Sequence, residues 1–509
     1  MSELTTRYAE SIVGRLSCFD RVIITGTLPG VCYAEGMTKI LYGRGVRIFD
    51  YASFVKPLAE QVRANAERLA AEAGLQIEYV RKANFRKEDR VRQLLHARGE
   101  QVGLVHIFSA LEPCAAYQPW HNKGTGRTYL KPDSGKCLHY YFYFVDAELG
   151  LCYLRVPTYC PFRLQFYFNG HNWLARRLRR EGIACELQDN VLVNCGDWAR
   201  AQTLADGLEV EALHRLLDGY AHRFCPAAAS FEVGYHWSLM QVEYAHDLVF
   251  RKPADLAGLY ESLTRTAIHA VKVDQVATFL SRKITGNYQG EAGGTFSTRI
   301  EGTCIKHHMG RAAAIKMYDK QARVLRIETT VNDVSFFKHL RKVEHRDGTR
   351  SLQVADVPKT IYSIPTLIEL LGAANRRYLA FISELTDEGP GLHAVQKLAE
   401  KTRDADQDRP VRGFNLLQAD DHELFLAITR GEFALSGLTN ARLRQVLRDK
   451  TGPQLSRLLR ALRIHGLIKK IGRTYKYYLT ELGRRTAIAA LKLRNMFIVP
   501  TLAQPACAA

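Results

Sequence analysis

The sequence predicts a multidomain chain of α/β and α+β class, and three observations carry that reading. The chain has 509 residues, 47% of them apolar, enough for on the order of three separate cores. Its first half alternates strand-like and helical stretches, as layered sheets and helices do. Its charge is uneven: residues 436–495 hold fifteen Lys or Arg against Asp449 and Glu481, so +13 of the net +19 sits in one segment. Four regions follow: an α/β domain over 1–115, a central mixed-sheet domain over 137–345, a helical segment and linker over 346–412, and a basic C-terminal unit over 413–498.

In the first region, Arg21 to Leu28, Gln76 to Val80 and Gly103 to Phe108 read as strands. Between them lie stretches of helical period, the longest from Ala52 to Ala73. Gln118 to Lys136, rich in Gly, Lys, Thr and Pro, reads as a polar loop, and its Gly124-Thr125-Gly126 is too short for a phosphate-binding motif.

The central region opens with three strands, His139 to Asp146, Leu151 to Pro157 and Arg163 to Phe168. A helix from Asn172 to Glu181 and a strand from Ala184 to Leu187, ending in Asp189-Asn190, follow. Gln241 to Asp247 reads as a helix with Glu243 and Asp247 on one face. Thr303 to His308 and Ala314 to Tyr318 read as strands, and Ile315 to Lys320 pairs with Val324 to Glu328 as a hairpin. Alternation places Lys316, Tyr318 and Lys320 on one face of the first strand, and Arg326 with Glu328 on one face of the second, so the two groups can meet. A helix near Thr366 to Leu385 leads to Thr386 to Arg412, read as a linker from its charge, Gly and Pro.

In the C-terminal unit, Leu455, Leu458, Leu459 and Leu462 recur at helical spacing between Pro453 and Gly466. With that stripe inward, Gln454, Ser456, Arg457, Arg460 and Arg463 lie on the remaining faces. A shorter helix, Asn440 to Arg448, precedes across the turn Asp449 to Gly452. Ile468 to Ile471 and Tyr475 to Leu479 then form a hairpin carrying Lys469, Lys470, Arg473 and Lys476. Helix, turn, helix and basic hairpin is the winged helix-turn-helix arrangement, and its cations point to double-stranded DNA as partner. A protein-docking module is the alternative.

Three resemblances sharpen this. Tyr478-Leu479-Thr480-Glu481-Leu482-Gly483-Arg484-Arg485 resembles the wing exit of MarR-type regulators over residues 418 to 495, and the whole chain resembles an uncharacterised bacterial family labelled MarR-like, which implies no mechanism. The order of three strands, helix and strand resembles ribonuclease H-like transposases and nucleases. That resemblance implies a catalytic, metal-holding triad of Asp146, Asp189 and Glu243 around Mg²⁺. The same residues also read as a turn opener, a turn pair and a solvated helix position. Lys316, Tyr318, Asp319, Lys320 and then Leu325-Arg326-Ile327-Glu328 are similar to the K-x-Y-D-K and L-R-I-E signature of rolling-circle replication initiators, implying Tyr318 as nucleophile and Glu328 as metal-binding acid. The chain departs from that family at His307-His308, adjacent residues that would face opposite sides of a strand.

The expectation is therefore a DNA-binding protein of mobile-element or replication type that cuts or transfers a strand with Mg²⁺. The alternative is a winged-helix regulator with a large sensing or dimerisation region. No run of 18 apolar residues and no secretion-signal order at the start are present, so a cytoplasmic protein without membrane contact is expected, with a homodimer among its assemblies. Eleven cysteines without a C-x-x-C pair read as reduced and mostly buried.

Overall fold

The computed structural model describes residues 3–82, 84–283, 291–299, 302–345, 347–383, 398–404 and 409–499. An eleven-stranded sheet organises residues 12–331. Its strands are β1 (Ile12–Thr27), β2 (Ile77–Tyr79), β3 (Gly103–Asn122), β4 (Arg127–Asp146), β5 (Gly150–Pro157), β6 (Leu164–Phe168), then, after the separate hairpin β7 (Cys185–Gln188) and β8 (Val191–Cys195), β9 (His236–Phe250), β10 (Ala292–Arg299), β11 (Gly302–Met309), β12 (Ala313–Lys320) and β13 (Val324–Val331). Their order is β10-β11-β12-β13-β9-β1-β6-β5-β4-β3-β2, antiparallel except for β2 against β3. A second isolated hairpin follows, β14 (Lys338–Glu344) with β15 (Arg350–Asp356).

Among the described residues, ten α-helices accompany this sheet: α1 (Glu3–Arg7), α2 (Ala34–Gly43), α3 (Tyr51–Glu72), α4 (Lys87–Arg98), α5 (Gly170–Arg180), α6 (Trp198–Asp206), α7 (Val210–Phe224), α8 (Pro253–Ala270), α9 (Val273–Phe279) and α10 (Ile364–Ser383). One continuous core runs through them, from Leu4 to Ile382. β1 and β9 pair over almost their whole length and sit in the middle of the sheet, so both contribute to either half. β13 is buried at every position, as a strand covered on both faces must be.

Three expectations are corrected here. Gln118 to Lys136 is not a loop: it is the outer part of the β3–β4 hairpin, with Gln118 opposite Lys131 and only a short turn at its tip. Gly and Pro suggested a break, but cross-strand pairing prevails. The boundary drawn there between two domains consequently falls inside one sheet. Gln241 to Asp247 is strand β9 and not a helix, its apolar neighbours alternating across a buried sheet. The strand ending at Asp189 pairs only with β8 and does not join the large sheet.

The C-terminal unit has its own core, from Leu398 to Leu491. After the strand pair β16 (Thr402–Asp404) and β17 (Arg409–Val411) come α11 (Ala419–Ile428), α12 (Gly431–Ser436), α13 (Asn440–Val446), α14 (Gly452–Ile464), the hairpin β18 (Ile468–Lys470) and β19 (Tyr477–Leu479), and α15 (Glu481–Lys492). Leu455, Leu459 and Leu462 are buried and Leu458 is half-buried, which is the expected stripe. Thr451 and Gln454 form a capping box at the start of α14, with Pro453 in its first turn. α15 and α12 pack on α8, docking this unit against the sheet. Most of the expected linker, residues 386–397 and 405–408, lies outside the described residues, as does Cys507. The ten described cysteines form no disulfide. Among the described residues no helix is long and apolar enough to cross a membrane.

Candidate active site

Four buried charged side chains, Asp20, Asp247, Arg326 and Glu328, gather where β12, β13, β9 and β1 run side by side. On β9, Glu243 and Asp247 are four residues apart and share a face. On β13, Arg326 faces Asp247 and Glu328 lies opposite Lys316 of β12, while Tyr318 lies opposite Arg326. The hairpin geometry inferred from alternation is thus present, and its side chains do meet. Tyr318 Oη donates to Glu328 Oε2 at 2.6 Å, and Lys316 Nζ donates to Glu328 Oε1 at 2.7 Å and Glu243 Oε1 at 3.1 Å.

β1 supplies the residue that completes the cluster. Phe19 pairs with Tyr244 and Arg21 with Glu243, so Asp20 is the extra residue of a β-bulge, a device that re-aims one side chain. One ligand oxygen each from Asp20, Glu243 and Glu328 lies within 4.8 Å of the other two, and among the described residues this is the one such acidic group of three.

The N-terminus of α5 holds the bulge. Asn169, its N-cap, accepts from Asn172 N–H at 3.0 Å and donates its amide to the Asp20 carboxylate at 3.0 Å. Gly170 permits the approach: a Cβ there would stand 2.3 Å from the Phe19 carbonyl oxygen. Behind the cluster, fully buried Arg326 forms a bidentate pair with Asp247 at 2.7 and 2.6 Å, reaches Asp20 Oδ2 at 3.2 Å, and donates to the Asn190 carbonyl at 2.8 Å. His171, also fully buried, sits 3.6 Å from Asp20 and 3.3 Å from Asp247.

These contacts set the protonation states. Burial alone would raise both aspartates, but Arg326, with hydrogen bonding to His171, outweighs it, holding Asp20 well below the carboxylate range and Asp247 at about 2. Glu243 is raised by burial and by the neighbouring Glu328 charge. Burial disfavours the Lys316 ammonium, yet Glu328 and Glu243 together hold its pKa above the usual lysine value. Burial and the Glu328 carboxylate push the Tyr318 phenol far up.

The expected triad is taken apart. Asp146 opens the β4–β5 turn, accepting from the Glu148 and Leu149 N–H groups at 2.7 and 2.8 Å and from the Tyr220 hydroxyl. Asp189 is an exposed turn residue with a φ of 52°, touched by Gln321 at 3.4 Å. Neither shares an acidic group of three with Glu243. It is the neighbour, Asn190, that reaches the site: its amide contacts Asp20 and Lys320, and its carbonyl takes Arg326. His307 and His308 point to opposite faces as expected, His307 against Tyr378 at 3.2 Å on the α10 side.

No family model, curated protein or solved structure matches this chain significantly.

Three carboxylate oxygens form a hard donor set suited to Mg²⁺, Mn²⁺ or Ca²⁺ rather than to thiolate-seeking metals. In the C-terminal unit, Arg457, Arg463, Lys469, Lys470, Arg473 and Lys476 are exposed, and Arg460 is half-buried. Gln454 is engaged by Thr451 in the cap, and Ser456 accepts from Asn440 at 2.8 Å. Those two of the expected DNA contacts are therefore tied into the α13–α14 turn.

Proposed function

We propose that this chain breaks and transfers phosphodiester bonds in DNA, with Asp20, Glu243 and Glu328 holding a divalent cation and Tyr318 attacking phosphorus. The observation that carries this is the shared carboxylate: Glu328 belongs to the group of three acids and also accepts the Tyr318 hydroxyl at 2.6 Å. A cation bound by these oxygens would neutralise the phosphate under attack. Glu328 takes the phenol proton as the tyrosine oxygen forms its bond to phosphorus, and the P–O bond to the leaving nucleotide breaks. Lys316, within 2.7 Å of Glu328, is placed to return a proton to the departing alkoxide. Arg326 and His171 touch no reacting atom. They are positioning residues that keep Asp20 and Asp247 ionised.

The C-terminal unit supports duplex recognition. An isolated bridge between Leu438 and Tyr477 ties the β18–β19 hairpin to the segment ahead of α13, and with exposed cations on α14 and the hairpin this supports a winged-helix reading. Purified protein with Mg²⁺ or Mn²⁺ should nick DNA carrying its own gene's flanks and leave a protein–DNA adduct that survives denaturation. Tyr318→Phe should abolish the adduct, and Asp20→Asn the nicking. Absence of both cleavage and adduct with every divalent cation would overturn the proposal. One observation favours the regulator reading: the C-terminal unit packs on α8 across a cavity of about 180 Å³ lined by His269, Phe433, Tyr477 and Arg484. That reading calls for ligand-dependent DNA affinity with no metal requirement.

A further inference from the structure

The face of the sheet that carries the carboxylates continues sideways; α4 covers it at Tyr143 and Phe108, and beside that cover it is half-open where the opposite face is sealed. Register fixes which residues share it. Glu243 of β9 lies opposite Arg21 of β1, Ile23 of β1 opposite Tyr167 of β6, Tyr167 opposite Tyr153 of β5, and Tyr141 of β4 opposite Arg155. Arg21, Tyr167, Tyr153, Arg155 and Tyr141 are all half-buried, whereas Val22, Leu154 and Phe166 on the other face are fully buried.

These side chains form a connected run. The Arg21 guanidinium lies 5.7 Å from the Tyr167 ring centroid. Tyr167 stacks on Tyr153 at 5.2 Å with rings 14° from parallel. Tyr153 meets Tyr141 at 5.9 Å, and Tyr141 carries Arg155 at 5.9 Å and Lys87 at 3.9 Å. Glu112 anchors one end of the run, accepting from Tyr141 at 2.8 Å and pairing with Arg155 at 2.8 Å and Lys87 at 3.5 Å, so Arg21 and Lys131 are the cations of the run that it does not pair. Aromatic rings alternating with cations on a half-exposed sheet face suit a nucleic-acid single strand, bases stacking and phosphates neutralised.

The same face reaches the outer part of the β3–β4 hairpin. There Trp120 lies opposite Tyr129, with Gln118 opposite Lys131 and Asn122 opposite Arg127. The other side of this arm is occupied: Leu130 and Tyr117 are buried, and Tyr42 of α2 donates to the Thr128 carbonyl at 2.5 Å. The outward side exposes 42% of Trp120, with the Lys131 ammonium 3.2 Å from its ring centroid.

We propose that this face is the bed of a single-stranded nucleic acid, which enters over Trp120 and Lys131 on the arm and is led along Tyr153, Tyr167 and Arg21 to the carboxylate cluster. Its end point rests on the proposed cleavage site; its affinity for the strand does not. The winged helix would hold duplex while the sheet takes the unpaired strand.

The test uses the full chain with a labelled single-stranded DNA of about 20 nucleotides, long enough for the roughly 4 to 16 nucleotides that such platforms cover. Trp120→Ala and Tyr167→Leu should each weaken binding about tenfold, since stacked bases contribute on that scale. Trp120 is the most exposed of the four tryptophans, Trp198 on α6 being half-buried and Trp173 and Trp237 buried. Quenching on titration should therefore vanish in Trp120→Phe while affinity is largely kept. RNA and DNA oligomers compared at one salt concentration show which backbone the bed prefers, and tight binding of either supports it. Asp20→Asn should bind the strand normally without cleaving it. If Trp120→Ala and Tyr167→Leu bind as tightly as the parent chain, or duplex competes as well as single strand, the proposal is overturned. Loss of cleavage in every condition, with strand binding still sensitive to Trp120, would remove the catalytic reading and leave this surface standing.

Discussion

Lys316→Met is the substitution whose outcome the structure specifies best. Its ammonium lies 2.7 Å from Glu328 and 3.1 Å from Glu243, where a divalent cation held by the same carboxylates would place its charge. Removing one partner of a buried ion pair costs about 3–5 kcal/mol. The Lys316 side chain keeps 17% of its exposure, so the lower end, about 3 kcal/mol, applies. For a domain of about 150–250 residues that lowers Tm by about 6–12 °C, and by less in this larger sheet. A cation at a hundredfold its Kd returns about 2.7 kcal/mol, so Mn²⁺ should restore most of the variant's loss and stabilise it more than the parent. The loss also depends on pH. Glu243 already has a folded-state pKa above its ordinary value, so protonation favours the folded form. The destabilisation should therefore be full at neutral pH and shrink as pH falls through the carboxylate range. Thermal melts in chelator and in Mn²⁺, at pH 5 and pH 7.5, measure all of this. A variant as stable as the parent in chelator and no more responsive to Mn²⁺ would refute the view of Lys316 as the site's resident counter-cation.

Other outcomes follow from the same geometry. Arg326→Met strands Asp20 and Asp247 in a fully buried place and should cost about 3–5 kcal/mol in chemical denaturation, whereas an effect below about 1 kcal/mol would show the network to be dispensable. Asp247 has a folded-state pKa depressed from 3.8 to about 2, so it contributes about 2 kcal/mol above its ordinary range, and this is lost as pH falls from about 4 towards 2. Asp247→Asn should flatten the acid limb of the stability curve over that window. On duplex DNA, Arg457→Ala should weaken binding by about 1–3 kcal/mol if the side chain reaches a base, while Arg473→Ala on the wing should chiefly lower the salt slope by about one. Equal affinities and slopes for both variants would withdraw α14 as the recognition helix.

The C-terminal unit was legible because its signals are local. A leucine stripe, Pro453, Gly466 and a Gly-Arg turn mark elements within one short segment, and the structure places them there. The β12–β13 hairpin was legible for the same reason: a period of two and a short connection put Lys316, Tyr318, Arg326 and Glu328 together. Asp20 was missed because the strand was read from Arg21 onward, which left the aspartate just outside it. It stands between Phe19 and Arg21, ahead of Val22-Ile23-Ile24, and more than two hundred residues from Glu243. The available signal was the oddity of an aspartate inside a strand that must be buried. Asp146 and Asp189 misled because Asp at a strand end is the ordinary chemistry of turns, and turns are what they make. Glu243 lies in an acidic group, with partners other than those expected, and on a strand in place of the expected helix: four-residue spacing aligns side chains on a strand as well as on a helix.

The sequence alone determines what is decided within a few residues: the basic helical unit at one end, the alternation that pairs Tyr318 with Glu328, and the cap and stripe of α14. The tertiary fold decides the rest. One sheet, not two, joins the first and central regions; a bulge turns Asp20 inward; and β9 brings Glu243 between partners from both ends of the domain. The physical reason is range. Capping, turn formation and side-chain period act along the chain, whereas pairing β1 with β9 and sharing buried charge among four strands depend on which distant segments exclude water from one another.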